Sequence, residues 1–147
     1  MKAVYATGTN YDDPLSMLEV RDMPEPETKP FWSTIRVKSA SVNHHDVWSL
    51  QGVGLADEQT PMILGTDAAG VLQEEIPVRK GLKAGSEVVL YTFIGTDGAG
   101  VMPGERRSIL SERYAGTMAE YTQVPSANVF SKPENLNFDE TAALGTS

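Results

Sequence analysis

The sequence predicts a mainly β domain with short helices, an α+β unit curled into a distorted β-barrel. Two observations carry this. Short β-branched or alternating runs recur along the chain with turn chemistry between them, and only two segments have helical character. A third observation sets the scale: 147 residues at 40% hydrophobic content suffice for one domain with a real core.

Met1 to Ala6, Leu18 to Arg21 and Thr34 to Ser39 read as strands. In the last, Ile35 and Val37 share one face and Arg36 and Lys38 the other. Pro24, Pro26 and Pro30 keep the connection before it out of any helix. Ala68 to Ile76 and Glu87 to Phe93 read as two further strands, joined through Pro77 and the Gly81-Leu82-Lys83-Ala84-Gly85 turn. Residues 94–116 hold five glycines and one proline, with Arg and Glu side chains between Glu105 and Arg113. That stretch is expected to be a surface excursion with one helical turn near Arg107 to Glu112. Met118 to Pro125 and Asn128 to Lys132 read as the closing strands. The helical segments are His44 to Gln51 and Phe138 to the C-terminus. Asn137 stands as N-cap to the second, with Glu140 three residues on in a capping-box arrangement.

Twenty acidic against twelve basic side chains give a net charge of −8, which repels phosphate backbones and argues against nucleic acid or an anionic membrane as partner. The absence of cysteine excludes disulfides, thiolate zinc ligands and a Cys nucleophile from this chain. No stretch reaches the length of an apolar membrane span, and the N-terminus runs directly into strand-like sequence. A cytoplasmic protein without a targeting segment is expected.

Gly98-Ala99-Gly100-Val101-Met102-Pro103 nearly spells the dinucleotide fingerprint. Pro103 and the Gly104-Glu105-Arg106-Arg107 that follows deny it the apolar helix that motif needs, so it reads as an ordinary loop. His44 and His45 are the only histidines. Adjacent residues on a helix diverge by about 100°, so they do not share a metal, and none is expected. Asn43 to Asp46 opens a helix directly after a strand, a common position for chemistry. A purely local account is also open: Asn43 caps the helix, Asp46 sits in its first turn, and Trp48 and Leu50 are core.

The order of Met1-Lys2-Ala3-Val4, Ser41-Val42-Asn43, Pro61 to Val71 with its Gly65-Thr66-Asp67-Ala68-Ala69-Gly70 core, Gly85 to Val89, Gly116 to Tyr121 and Glu140 to Leu144 resembles a known family. It is that of the N-terminal, GroES-like catalytic domain of the medium-chain dehydrogenase/reductase superfamily. The resemblance implies a GroES-like distorted β-barrel continuing, beyond Ser147, into a nucleotide-binding domain. In zinc-dependent members a cysteine stands at Asn43, a histidine at Thr66, a glutamate at Asp67, and a cysteine or aspartate near Thr146. The chain therefore resembles the zinc-independent branch of NADPH-dependent quinone and enone reductases.

The resemblance implies NADPH as cofactor, bound mainly outside this chain, and no zinc. Asn43 and His45 become the candidate catalytic residues, the first to position cofactor or donate to a substrate oxygen, the second to donate a proton. Asn43, Asp46 and Thr146 are candidate cofactor-binding residues, and Trp48 and Asp67 candidates for the substrate cleft. The expected partner is a small-molecule acceptor such as a quinone or enone. Self-association through exposed apolar surface is also expected, as is inactivity of the isolated chain. Two alternatives stay open: an alcohol dehydrogenase-like enzyme acting on alcohols or aldehydes, and a non-catalytic GroES-like binding or assembly module.

Overall fold

The computed structural model describes residues 1–27, 29–76, 81–95 and 107–146. The Gly98 to Pro103 stretch, Pro77 and Ser147 lie outside the described residues. Ten strands and two short helices are ordered along the described chain. β1 (Lys2–Ala6) lies between β2 (Leu18–Asp22) and β4 (Met62–Ile63) in a three-stranded sheet. A five-stranded sheet has the order β10 (Val129–Ser131), β6 (Glu87–Leu90), β5 (Ala68–Leu72), β3 (Trp32–Ala40) and β9 (Tyr121–Pro125). β7 (Phe93–Ile94) pairs with β8 (Ser108–Ile109). All these pairings are antiparallel.

The sheets curl onto one another where the chain before β9 crosses β1 and β4. Val4 N–H donates to Met118 O at 2.8 Å, and Met118 N–H to Leu64 O at 2.8 Å. Gly116 and Gly65 make this crossing close. A Cβ on Gly116 would collide with the Leu64 and Gly65 carbonyls. Gly65 sits at φ 94°, which L side chains rarely adopt.

Alternation decides the inside. Ile35, paired with Leu72 of β5, is fully buried, while Arg36 and Lys38 stay exposed. Ile35, Leu72, Val88, Leu90, Val124 and Val129 form the main core with Ile94 and Leu110. A second cluster of Ala6, Leu50, Leu55, Met62 and Leu64 seats the first helix, α1 (His44–Leu50). The last helix, α2 (Phe138–Ala142), packs on β3 and β5.

Three expectations are corrected. Residues 107–112 form no helical turn: Ser108 and Ile109 pair with β7, and Leu110 is 0% exposed. Leu110, next to half-buried Ile109, enters the core there, so the stretch is not all surface. The predicted 87–93 strand is two strands. Asn128, buried at the corner, donates Nδ2 to the carbonyls of Tyr91 (2.8 Å) and Phe93 (2.9 Å), and Tyr91 N–H reaches Asn128 O. The final helix stops at Ala142 rather than running on, because Leu144 N–H turns back to Thr141 O and Gly145 packs against Asp67. The capping box itself forms as expected, with Asn137 N–H to Glu140 Oε2 and Glu140 N–H to Asn137 Oδ1, both 2.9 Å. Among the described residues, no helix is long and apolar enough to cross a membrane.

Candidate functional site

Three pieces of chain meet at one end of the barrel: the turn from β3 into α1, the loop from β4 into β5, and the end of α2. The first brings Ser41 and Asn43, the second Thr66 and Asp67, the third Gly145 and Thr146. Asp67 is 1% exposed and Thr66 0%, while Asn43 and Thr146 are half-buried above them.

Asp67 is the hub. Its Oδ2 accepts from Asn43 Nδ2 (2.8 Å), Ser41 Oγ (3.1 Å), Thr146 N–H (3.3 Å) and Thr146 Oγ1. Its Oδ1 is buried with no hydrogen-bond partner among the described residues, and a Cβ at Gly145 would collide with it. Asn43 Nδ2 also reaches Thr66 Oγ1 (3.0 Å) and Ser41 Oγ (3.2 Å), and the two threonine hydroxyls lie 3.5 Å apart. Since Thr146 Oγ1 donates to the carboxylate, it accepts from Thr66.

Asp46 lies below this cluster. It is 5% exposed, and its two oxygens accept the N–H groups of Asn43 and Gly65. Burial pushes its carboxyl above the ordinary carboxylate value. The two backbone N–H bonds and the neighbouring His45 pull it down by less, and the charge of Asp67 adds to the rise. The Asn43 carboxamide is turned into the site, and the side-chain bond that caps α1 comes from Asp46 Oδ2 on the Asn43 N–H.

Asn43, Asp67 and Thr146 are brought together, and Asp46 supports them from beneath with both oxygens already engaged. His45 is elsewhere. Its Nε2 donates to Glu112 Oε1 at 3.1 Å, and its Nδ1 faces Ser111 Oγ (3.3 Å) and Ser49 Oγ (3.5 Å). These contacts tie α1 to the corner after β8. Trp48 is not core: it is 49% exposed and tilts against His44, with ring centroids 5.8 Å apart, on the outer face of α1. Ser41, Glu112 and Gly145 are the participants that sequence reasoning missed. Ser41 was legible in principle, two residues before Asn43 and so on the same side of extended chain.

Zinc is the metal this fold raises as a question. Among the described residues no three His, Cys, Asp or Glu side chains converge. The converging donors are one carboxamide N–H, hydroxyls and a single carboxylate that already collects four hydrogen bonds. That set does not fit a zinc ion, which takes thiolate, imidazole or free carboxylate.

The Alcohol dehydrogenase GroES-like domain model matches residues 29–134. Crotonyl-CoA reductase of Streptomyces avermitilis is 28% identical over 160 residues, covering 93% of this chain and 36% of that protein. A chloroplastic NADPH-dependent alkenal/one oxidoreductase of Arabidopsis thaliana is 31% identical over 120 residues, covering 81% and 28%. Among solved structures, an NAD-dependent alcohol dehydrogenase superposes with a TM-score of 0.80 at 36% identity, over 98% of this chain and 43% of that one. The chain thus spans about a third of the length of these curated relatives.

Proposed function

Because the chain belongs to the alcohol dehydrogenase GroES-like domain family, we propose that it is the catalytic-domain portion of an NADPH-dependent oxidoreductase. In this reading it reduces a quinone, enone or related carbonyl-conjugated acceptor without zinc. The observation that carries the reading is the Asp67 hub: the positions that resemble metal-ligand positions converge, and they hold hydrogen-bonding groups. The names of the reductase relatives point the same way for the acceptor class.

Val42 is 80% exposed, Trp48 half-exposed, and the Asn43 carboxamide stands nearby on the same turn and helix. When bound there, the nicotinamide supplies the hydride. Asn43 and Thr146 orient the ring and the acceptor at the mouth. Asp46 keeps the Asn43 turn in place through its bond to the Asn43 N–H. His45 holds a proton at Nε2 against Glu112, whose partly exposed carboxylate links it to solvent.

A second reading, oxidation and reduction of alcohols and aldehydes, is favoured by the 36% identity to an NAD-dependent alcohol dehydrogenase. Joining this chain to the nucleotide-binding half of a family relative and following NADPH and NADH oxidation separates the two. Turnover of an enone or quinone well above that of a simple aldehyde is expected. Faster turnover of the aldehyde would reverse the assignment, and the 147-residue polypeptide alone is expected to turn over neither.

A further inference from the structure

Four donors point at one oxygen of Asp67 and none at the other. A carboxylate oxygen offers about two lone-pair directions, so Oδ2 is oversubscribed. Rotation of the carboxylate does not relieve this, because Oδ1 is packed against Gly145. The donors come from two separate parts of the chain: Ser41 and Asn43 from the turn before α1, and both groups of Thr146 from the segment after α2.

We infer that Thr146 and Asn43 compete for Asp67 Oδ2, so that docking of the 145–146 segment controls how firmly the Asn43 carboxamide is held. With Thr146 docked, as in this structure, its hydroxyl and N–H share the oxygen with Asn43, whose bond at 2.8 Å is kept but weakened by the crowding, so that the carboxamide turns more readily toward a ligand. With Thr146 withdrawn, the carboxylate is left to Asn43 and Ser41, and the carboxamide is locked inward. Thr66 joins the two states, since its hydroxyl accepts from Asn43 Nδ2 and lies 3.5 Å from that of Thr146. Asp67 is thereby a positioning residue, buried away from any ligand, and Thr146 is the lever. The functional meaning rests on the reading of Asn43 as a ligand-facing residue, but the competition itself does not.

The test is the solvent-exchange rate of the Asn43 side-chain amide protons, read by nitrogen-edited NMR on the 147-residue chain. Thr146→Val keeps the side-chain shape and removes the hydroxyl donor. It is expected to slow Asn43 exchange about threefold, the worth of a modest gain in one hydrogen bond, and to shift those protons downfield. Asp67→Asn, which removes the charge from the acceptor, is expected to reduce the protection, with the amide of Val88 in the core as control for folding. Unchanged or faster Asn43 exchange in Thr146→Val would overturn the inference. The measurement reads no activity, so its failure is distinct from failure of the hydride-transfer reading.

Discussion

Asp46 reaches across the base of the site to Gly65: its buried Oδ1 accepts the Gly65 N–H at 2.9 Å, while Oδ2 accepts the Asn43 N–H at 2.8 Å. One side chain thus fixes the two loops that carry Asn43 and Asp67. An asparagine there has one acceptor oxygen and turns N–H against N–H on the other side. Asp46→Asn is expected to cost about 1–3 kcal/mol for the buried donor left unpaired. Urea unfolding, followed by tryptophan fluorescence, measures it.

The raised carboxyl of Asp46 makes that cost depend on pH. Burial, the largest cause, favours the protonated form in the folded chain. The folded state therefore binds this proton more tightly than the unfolded state, whose value is the ordinary 3.8. The resulting stabilisation is complete below 3.8 and is lost as pH rises through the folded value. Unfolding of wild type and Asp46→Asn between about pH 4 and pH 7 should show the wild type's advantage shrinking as pH increases. An advantage that grows with pH would contradict the burial argument.

Leu110 is fully enclosed in one core cluster with Ile94 and Val129, although apart from Ile109 its near neighbours in sequence are charged or polar. Leu110→Ala is expected to destabilise the fold by about 2–5 kcal/mol, as for a buried leucine whose cavity cannot collapse. A surface-loop position would lose about 0.5 kcal/mol or less, so the chemical denaturation midpoint discriminates sharply.

The convergence of Asn43, Thr66 and Thr146 has its own test. The spacings of 3.0 Å between Asn43 Nδ2 and Thr66 Oγ1 and 3.5 Å between the threonine hydroxyls place three side chains around one point. The combined variant Asn43→Cys, Thr66→His and Thr146→Cys is expected to bind cobalt with the visible spectrum of a tetrahedral thiolate site. The unsubstituted chain should give no such spectrum. A colourless variant that remains folded would show that the three positions do not converge closely enough.

How far the sequence reveals this arrangement depends on the range of the interaction. The Asn137 and Glu140 box is legible because both partners lie within one turn, and each bond forms as the spacing requires. The strand of Ile35 and Val37 is legible because alternation is a local property. Leu110 is hidden because Ile109-Leu110 is too short for any period and sits among charges and glycines. The meeting of Asn43 with Asp67 spans 24 residues and that of Thr146 with Asp67 spans 79. Only the ordered family resemblance brought those positions together on paper. The His45 to Glu112 contact, across 67 residues, belongs to no motif and emerges only from the path of the corner after β8.

Hydride transfer independent of metal is the central claim, and chelation tests it most directly. The chain joined to the nucleotide-binding half of a family relative is assayed for NADPH oxidation by an enone, before and after exhaustive treatment with a strong chelator. An unchanged rate is the predicted result. Loss of activity on chelation, restored by stoichiometric zinc, would contradict a site built on Asn43, Thr66, Asp67 and Thr146 as hydrogen-bonding groups.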